Sequence, residues 1–111
     1  MTSPSILGEF EQLVLLALLR LGRDGYGASV SIEIEQQSAR MVSVSAVHTT
    51  LDRLEEKGLV RSRFGEPTPQ RGGKRKRHYE VLPAGVRALQ HSIRALRRMT
   101  DGLEDFLGEP V

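Results

Sequence analysis

Val44 to Val60 reads V-S-A-V-H-T-T-L-D-R-L-E-E-K-G-L-V. Val44, Val47, Leu51 and Leu54 recur at steps of three and four, which lines one face of an α-helix. Ser43 stands just before them, where a hydroxyl caps open N–H groups. Gly58 stands just past Lys57, where a helix ends most easily on a residue tolerant of positive φ. The pattern therefore predicts a helix over 44–57 that turns at Gly58 into a strand starting at Leu59-Val60. The other face is uneven. Its first half carries Ser45, His48 and Thr49, polar and without negative charge, whereas Glu55 and Glu56 lie in its second half. A helix that places its N-terminal half among phosphates needs that asymmetry, because acids there would be repelled. An ordinary amphipathic helix with a solvated face would show the same apolar spacing, so the neighbouring segments decide.

Downstream, Leu59 to Phe64 reads as a strand, with Arg61 and Arg63 on one face. Residues 65–73 hold three glycines and two prolines and read as a hairpin loop. Lys74 to Leu82 reads as the returning strand, with Tyr79 and Val81 alternating at its far end. The pattern is a two-stranded ribbon with a basic tip, as in the wing of a winged helix. Residues 61–77 hold seven basic groups and one acidic group, while the whole chain has a net charge of only +2. A local basic patch of this kind suits a polyanion partner.

Upstream, residues 8–21 have helical periodicity. Phe10, Leu13, Val14, Ala17, Leu18 and Leu21 form one stripe, and Leu15, Leu16 and Leu19 widen it. A helix apolar nearly all round is buried on more than one side. Either a second subunit or a central place in a monomer core would satisfy it. Gly22 to Gly25 is a turn, and Tyr26-Gly27 opens a second helix over about 27–38. Ala28, Ile32 and Ile34 are expected inward, with Glu33, Glu35, Gln36 and Gln37 solvated. Met41-Val42 reads as a short strand before the helix at 44–57.

Pro83 opens a last helix to about Leu107. Val86, Leu89, Ile93, Leu96, Leu103 and Leu107 follow a 3-4 spacing close to a heptad seam. That seam reads as a dimerisation helix; folding back onto its own domain is the competing reading. The expected fold class is mainly α with a small β-hairpin: a winged helix-turn-helix over 8–82, containing the helix at 8–21, plus a C-terminal dimerisation helix over 83–107. The expected interface is Leu15, Leu16, Leu19, Leu89, Ile93, Leu96 and Leu103.

The totals exclude other classes. With 111 residues, 39% hydrophobic, the chain suits one small domain. It has no Cys, hence no disulfide or thiolate metal site. His48, His78 and His91 lie on three different elements without ligand spacing, so no metal is expected. Ser43 and Ser45 have no local base, and Gly72-Gly73-Lys74 lacks the strand-before, helix-after setting of a phosphate loop. No enzyme and no cofactor is expected. Residues 1–12 lack a basic start, and the run Leu13–Leu19 is too short to span a bilayer. A cytoplasmic protein, nucleoid-associated when bound and without a membrane partner, is the expectation.

The first helix with F-x-x-L-V-L-L-A-L-L, Gly25-Tyr26-Gly27, the 44–60 stretch and R-G-G-K-R-K-R-H-Y-E-V-L-P-A-G together resemble the PadR family of bacterial transcription regulators, over about residues 8–90. The resemblance implies a homodimer built on the first and last helices, binding operator DNA and usually repressing. The DNA-facing residues expected on the recognition helix are Ser45, Ala46, His48, Thr49 and Arg53. Those expected on the wing are Arg61, Arg63, Arg71, Lys74, Arg75, Lys76 and Arg77. A small-molecule effector of unidentified class is a candidate partner, although no Trp is present to stack on a flat one. Leu82 stands where many members have a capping Thr, so the last helix is expected to fray at its start. The alternative function is a winged-helix protein-interaction module that does not read DNA.

Overall fold

A computed structural model describes residues 6–65 and 76–108. Its order is α1 (Glu9–Leu21), a 3-10 turn (Gly22–Asp24), α2 (Gly27–Ser38), α3 (Val44–Glu56), β1 (Val60–Phe64), β2 (Arg77–Val81), α4 (Pro83–Thr100) and α5 (Glu104–Leu107). The expected class, mainly helical with one β-hairpin, is what forms.

The core lies where α1, α2 and α3 meet the ribbon. Val14, Leu15 and Leu18 of α1, Val30 and Ile34 of α2, Val47, Leu51 and Leu54 of α3, and Val60 and Tyr79 of the strands fill it. Leu16 and Leu19 remain outside, 38% and 48% exposed.

The phase of α2 differs from expectation. Its inner face is Gly27, Val30, Ser31 and Ile34, whereas Ala28 and Ile32 point to solvent. One small and one polar residue on the buried face hid the true periodicity. Ser31 is inside because its hydroxyl donates to the Val42 carbonyl at 3.0 Å. That bond, with the Val42 N–H reaching Glu35 Oε1 at 3.4 Å, also explains why Met41-Val42 is not a strand. The Val42 backbone is held by α2 side chains and pairs with no strand among the described residues.

In α3, the Ser43 hydroxyl accepts from the Ala46 N–H at 3.0 Å, as a cap should. Val44 is 41% exposed, not part of the inner face. The core behind α3 begins one turn later, and Thr50 takes the remaining buried place beside Val47, Leu51 and Leu54. Gly58 ends the helix with φ +74°, as its position predicts.

β1 starts at Val60 because both backbone groups of Leu59 are already bonded. Its N–H closes α3 on the Leu54 carbonyl, and its carbonyl accepts from Leu82 N–H at 2.9 Å. The ribbon is antiparallel, with Arg61 opposite Glu80 and Arg63 opposite His78. The return strand is shorter than expected: Lys76 lies before it, and positions 74 and 75 fall outside the described residues. The start of α4 is pinned, not frayed. Leu82 is anchored to Leu59, Pro83 occupies the first turn, and Gly85 packs so closely that a Cβ there would collide with the Leu59 carbonyl. Farther along, Ser92 Oγ accepts from Leu7 N–H at 2.9 Å, tying α4 to the segment before α1. The last helix is not continuous to Leu107. It stops at Thr100, turns through Gly102 at φ +84°, and resumes as the single turn α5.

Glu11 joins α1 to the end of α3. Its carboxylate accepts from Lys57 Nζ at 2.7 Å and from the Gly8 N–H at 3.1 Å. Burial alone would raise its pKa, but the Lys57 and Gly8 hydrogen bonds, with the charges of Lys57 and Arg53, hold it below the ordinary value of 4.5. A depressed carboxyl stabilises the fold above its unfolded pKa and loses that contribution as pH falls through the folded one. Glu11→Gln should therefore destabilise the protein by about 1–2 kcal/mol at pH 7, the half-exposed Lys57 keeping the value low. In thermal melts taken down to pH 3, the gap between the two proteins should close below about pH 4.5; a gap independent of pH would refute the ion pair's role.

Candidate nucleic-acid interface

The core takes one side of α3, and the opposite side is set by what that leaves. Ser45 and Thr49 lie directly opposite the core residues and are exposed, with Asp52 next along the same stripe. The first acidic residue of α3 is thus in its third turn, and the first turn has none. Ala46 and Arg53 lie on the flank toward α1, also exposed. Thr49 Oγ1 donates to the Ser45 carbonyl at 3.1 Å.

His48 is on the other flank, against the start of α2. Its imidazole lies so close to Gly27 that a side chain there would overlap Nε2 and Cε1. The second glycine of Gly25-Tyr26-Gly27 is therefore needed to seat His48 beside the helix start. Gly25 has a similar role, since a Cβ would strike Leu18. Its carbonyl accepts the Tyr79 N–H at 2.9 Å, and Tyr26 bridges to His78. The α1–α2 turn thus pairs edgewise with β2 and fixes where the ribbon begins.

The ribbon has two faces. Arg61, Arg63, His78 and Glu80 share one; Val60, Ser62, Phe64, Arg77, Tyr79 and Val81 share the other. The expected wing cations are consequently not equivalent. Arg61 is ion-paired with Glu80. Arg77 faces inward toward α3: its Nη2 donates to Glu55 Oε1 at 2.9 Å, and its guanidinium stands 5.5 Å from the Tyr79 ring centre. Lys76 lies over the Tyr26 ring at 4.4 Å. Arg63 and Arg53 are exposed and in no ion pair among the described residues. Arg71, Lys74 and Arg75 lie outside the described residues.

Glu55 was not legible as a functional residue. One carboxylate oxygen accepts from both the Ser62 N–H, at 3.1 Å, and the Ser62 hydroxyl, at 2.7 Å; the other takes Arg77. It clamps the exposed helix to both strands of the ribbon. In sequence it is one of two adjacent acids, and only the fold brings Arg77 to it. Among the described residues, no three His, Asp or Glu side chains form a cluster that could hold a metal, and no helix is long and apolar enough to cross a membrane.

A helix whose exposed first two turns carry no acid, seated beside a basic ribbon, is the arrangement of a winged helix. Residues 15–91 match the model of the transcriptional regulator PadR-like family. The chain belongs to that family. Among solved structures, a PadR family transcription regulator from Clostridium difficile R20291 superposes with a TM-score of 0.72 at 23% identity, covering 91% of this chain and all of the other. A PadR-like regulator from Bacillus cereus superposes at 0.70 with 15% identity, covering 91% and 93%. The PcaV regulator of Streptomyces coelicolor, solved with its natural ligand, gives 0.66 at 18% identity, covering 91% of this chain and 63% of that one. No curated protein matches. The PadR-like fold and family make the protein a DNA-binding transcription regulator, and its neighbours are regulators and not enzymes.

Because Arg77 bridges to Glu55, Arg77→Ala should lower the melting temperature by several degrees, whereas Arg63→Ala should leave it within about one degree. Calorimetry of the two variants checks this; equal melting temperatures would show the Glu55 clamp to be dispensable.

Proposed function

We propose that this PadR-like regulator is a homodimeric, sequence-specific repressor of double-stranded operator DNA, acting in the cytoplasm. The observation that carries the reading is the acid-free exposed first half of α3, clamped by Glu55 to a ribbon rich in Lys and Arg. Residues 8–82 are the DNA-binding unit and 83–107 the dimerisation segment.

In this reading Ser45, Ala46, His48 and Thr49 face base edges in the major groove, and Arg53 meets phosphate. His48, leaning on the start of α2, is the one nearest the sugar-phosphate backbone. Arg63 and Lys76, with Arg71, Lys74 and Arg75, meet phosphate or the minor groove. Arg61 and Arg77 must first exchange an internal carboxylate, so they contribute less. Two α3 helices related by a two-fold axis require half-sites about 10 bp apart or a multiple of that. Leu15 and Leu89 lie in the chain's own core, so the dimer rests on Leu16, Leu19, Ile93, Leu96 and Leu103. PcaV was solved with a natural ligand, which supports a small-molecule effector here as well, of unidentified class.

A winged-helix module that binds protein instead would need neither an acid-free first half of α3 nor a basic ribbon. Anisotropy titrations on a duplex selected from a random pool, and on random DNA, separate the two. Thr49→Ala should cost on the order of 1–3 kcal/mol on the selected duplex and almost nothing on random DNA. Arg63→Ala should weaken both alike and shrink the slope of log K against log salt by about 1.8, for two phosphate contacts per dimer. Absence of salt-dependent binding to either duplex would favour the protein-binding module.

A further inference from the structure

The large apolar residues of α3 are Val44, Val47, Leu51 and Leu54. The last three are fully buried, whereas Val44 is 41% exposed. Val44 and Ser45 stand in the first turn, with His48 and Thr49 four residues on, and all four are exposed. Residues at i and i+4 lie one above the other on a helix, so the four form one continuous patch at its N-terminal end. No acid interrupts that patch; Asp52 follows in the third turn. The apolar spacing of the sequence assigns Val44 to the inner face, and only the fold turns it outward beside Ser45.

Val44 is held firmly where it stands. The Ser43 hydroxyl caps the helix on the Ala46 N–H at 3.0 Å, and the Val47 N–H reaches the Ser43 carbonyl at 3.2 Å, so the first turn is fully formed. A β-branched side chain in a helix keeps essentially one χ1 rotamer. Its methyl groups can therefore meet a partner with little rotamer entropy to lose. The chemistry of the four side chains also differs. Ser45, His48 and Thr49 can donate or accept a hydrogen bond, and Val44 can do neither. A polar base group placed against Val44 would lose its water and gain no partner. Among the groups that base pairs present in the major groove, the C5-methyl of thymine is the one that asks for no hydrogen bond.

We infer that Val44 is a specificity-determining residue that reads one thymine in each half-site, through contact of its methyl groups with the thymine C5-methyl. This rests on the proposed entry of α3 into the major groove and names the base group that one of its residues recognises. The contact separates T·A from C·G at that position, because cytosine lacks the methyl and presents an amino donor instead. It leaves the hydrogen-bonding positions to Ser45, His48 and Thr49. Val44 therefore adds an apolar criterion to a surface otherwise built for polar readout.

Deoxyuridine substitution in a duplex selected from a random pool tests it with the full chain. Each thymine is replaced in turn, which removes the methyl and keeps every hydrogen-bonding atom of the base, and affinity is read by fluorescence anisotropy. One thymine per half-site should respond, its replacement weakening the unmodified protein by about fourfold per half-site, the worth of one buried methyl. Val44→Ala should bind the all-thymine duplex more weakly by a similar factor and should not respond to deoxyuridine at that position. Val44→Ile, which keeps the branched methyl, should respond as the unmodified protein does. A selected duplex in which no thymine responds overturns the inference, and so does a response that persists undiminished in Val44→Ala. Either result leaves base reading by α3 standing if Thr49→Ala still loses affinity on the selected duplex alone. Equal binding of selected and random duplexes by the unmodified protein removes base reading by α3, and the Val44 contact with it.

Discussion

The geometry of the candidate DNA-facing surface depends on one carboxylate. Glu55 accepts from the backbone and hydroxyl of Ser62 and from the guanidinium of Arg77, so α3, β1 and β2 meet at a single half-buried side chain. Hydrogen bonds to a charged acceptor are stronger than neutral ones, and three donors from two strands leave little freedom of tilt. A two-stranded ribbon is marginal by itself and takes its orientation from what it packs on. Here it packs on α3 through Glu55, on the α1–α2 turn through Tyr26 and Gly25, and on α4 through Leu59. The proposed engagement of one duplex by α3 and the ribbon together would require such fixed relative placement.

The same clamp sorts the positive charges. Seven basic residues between 61 and 77 suggest a uniform electrostatic surface, but a cation in an ion pair must lose its partner before it can neutralise a phosphate. Arg61 and Arg77 are internal in this sense, whereas Arg63 is not among the described pairs. Charge counting along the sequence therefore overstates how much of the ribbon serves DNA. It also hides that part of the basic patch holds the fold together.

Much of the architecture was legible because it rests on local rules. Gly58 ends α3 through its backbone freedom, Ser43 caps it, Pro83 starts α4, and alternation marks the ribbon. These are signals within a few residues. The errors fall where a distant partner decides. Gly27 is buried because His48 lies against it, and Ser31 because it bonds Val42, so the phase of α2 could not be read from hydrophobicity. Gly85 looks like a poor helix residue until Leu59 is seen to occupy the space of its side chain. Gly102 breaks a heptad pattern that Leu103 and Leu107 otherwise continue. On α3, the exposure of Ser45, His48 and Thr49 was readable from the apolar spacing, but the partners of Arg61 and Arg77 were not.

In the proposed complex, two copies of α3 enter successive major grooves of one duplex. Hydroxyl-radical footprinting on a duplex selected from a random pool tests it most directly. Two protected patches related by a two-fold axis, about 10 bp or a multiple apart, are the expected result. A single unsymmetrical patch, or none at protein concentrations that saturate binding, would contradict it.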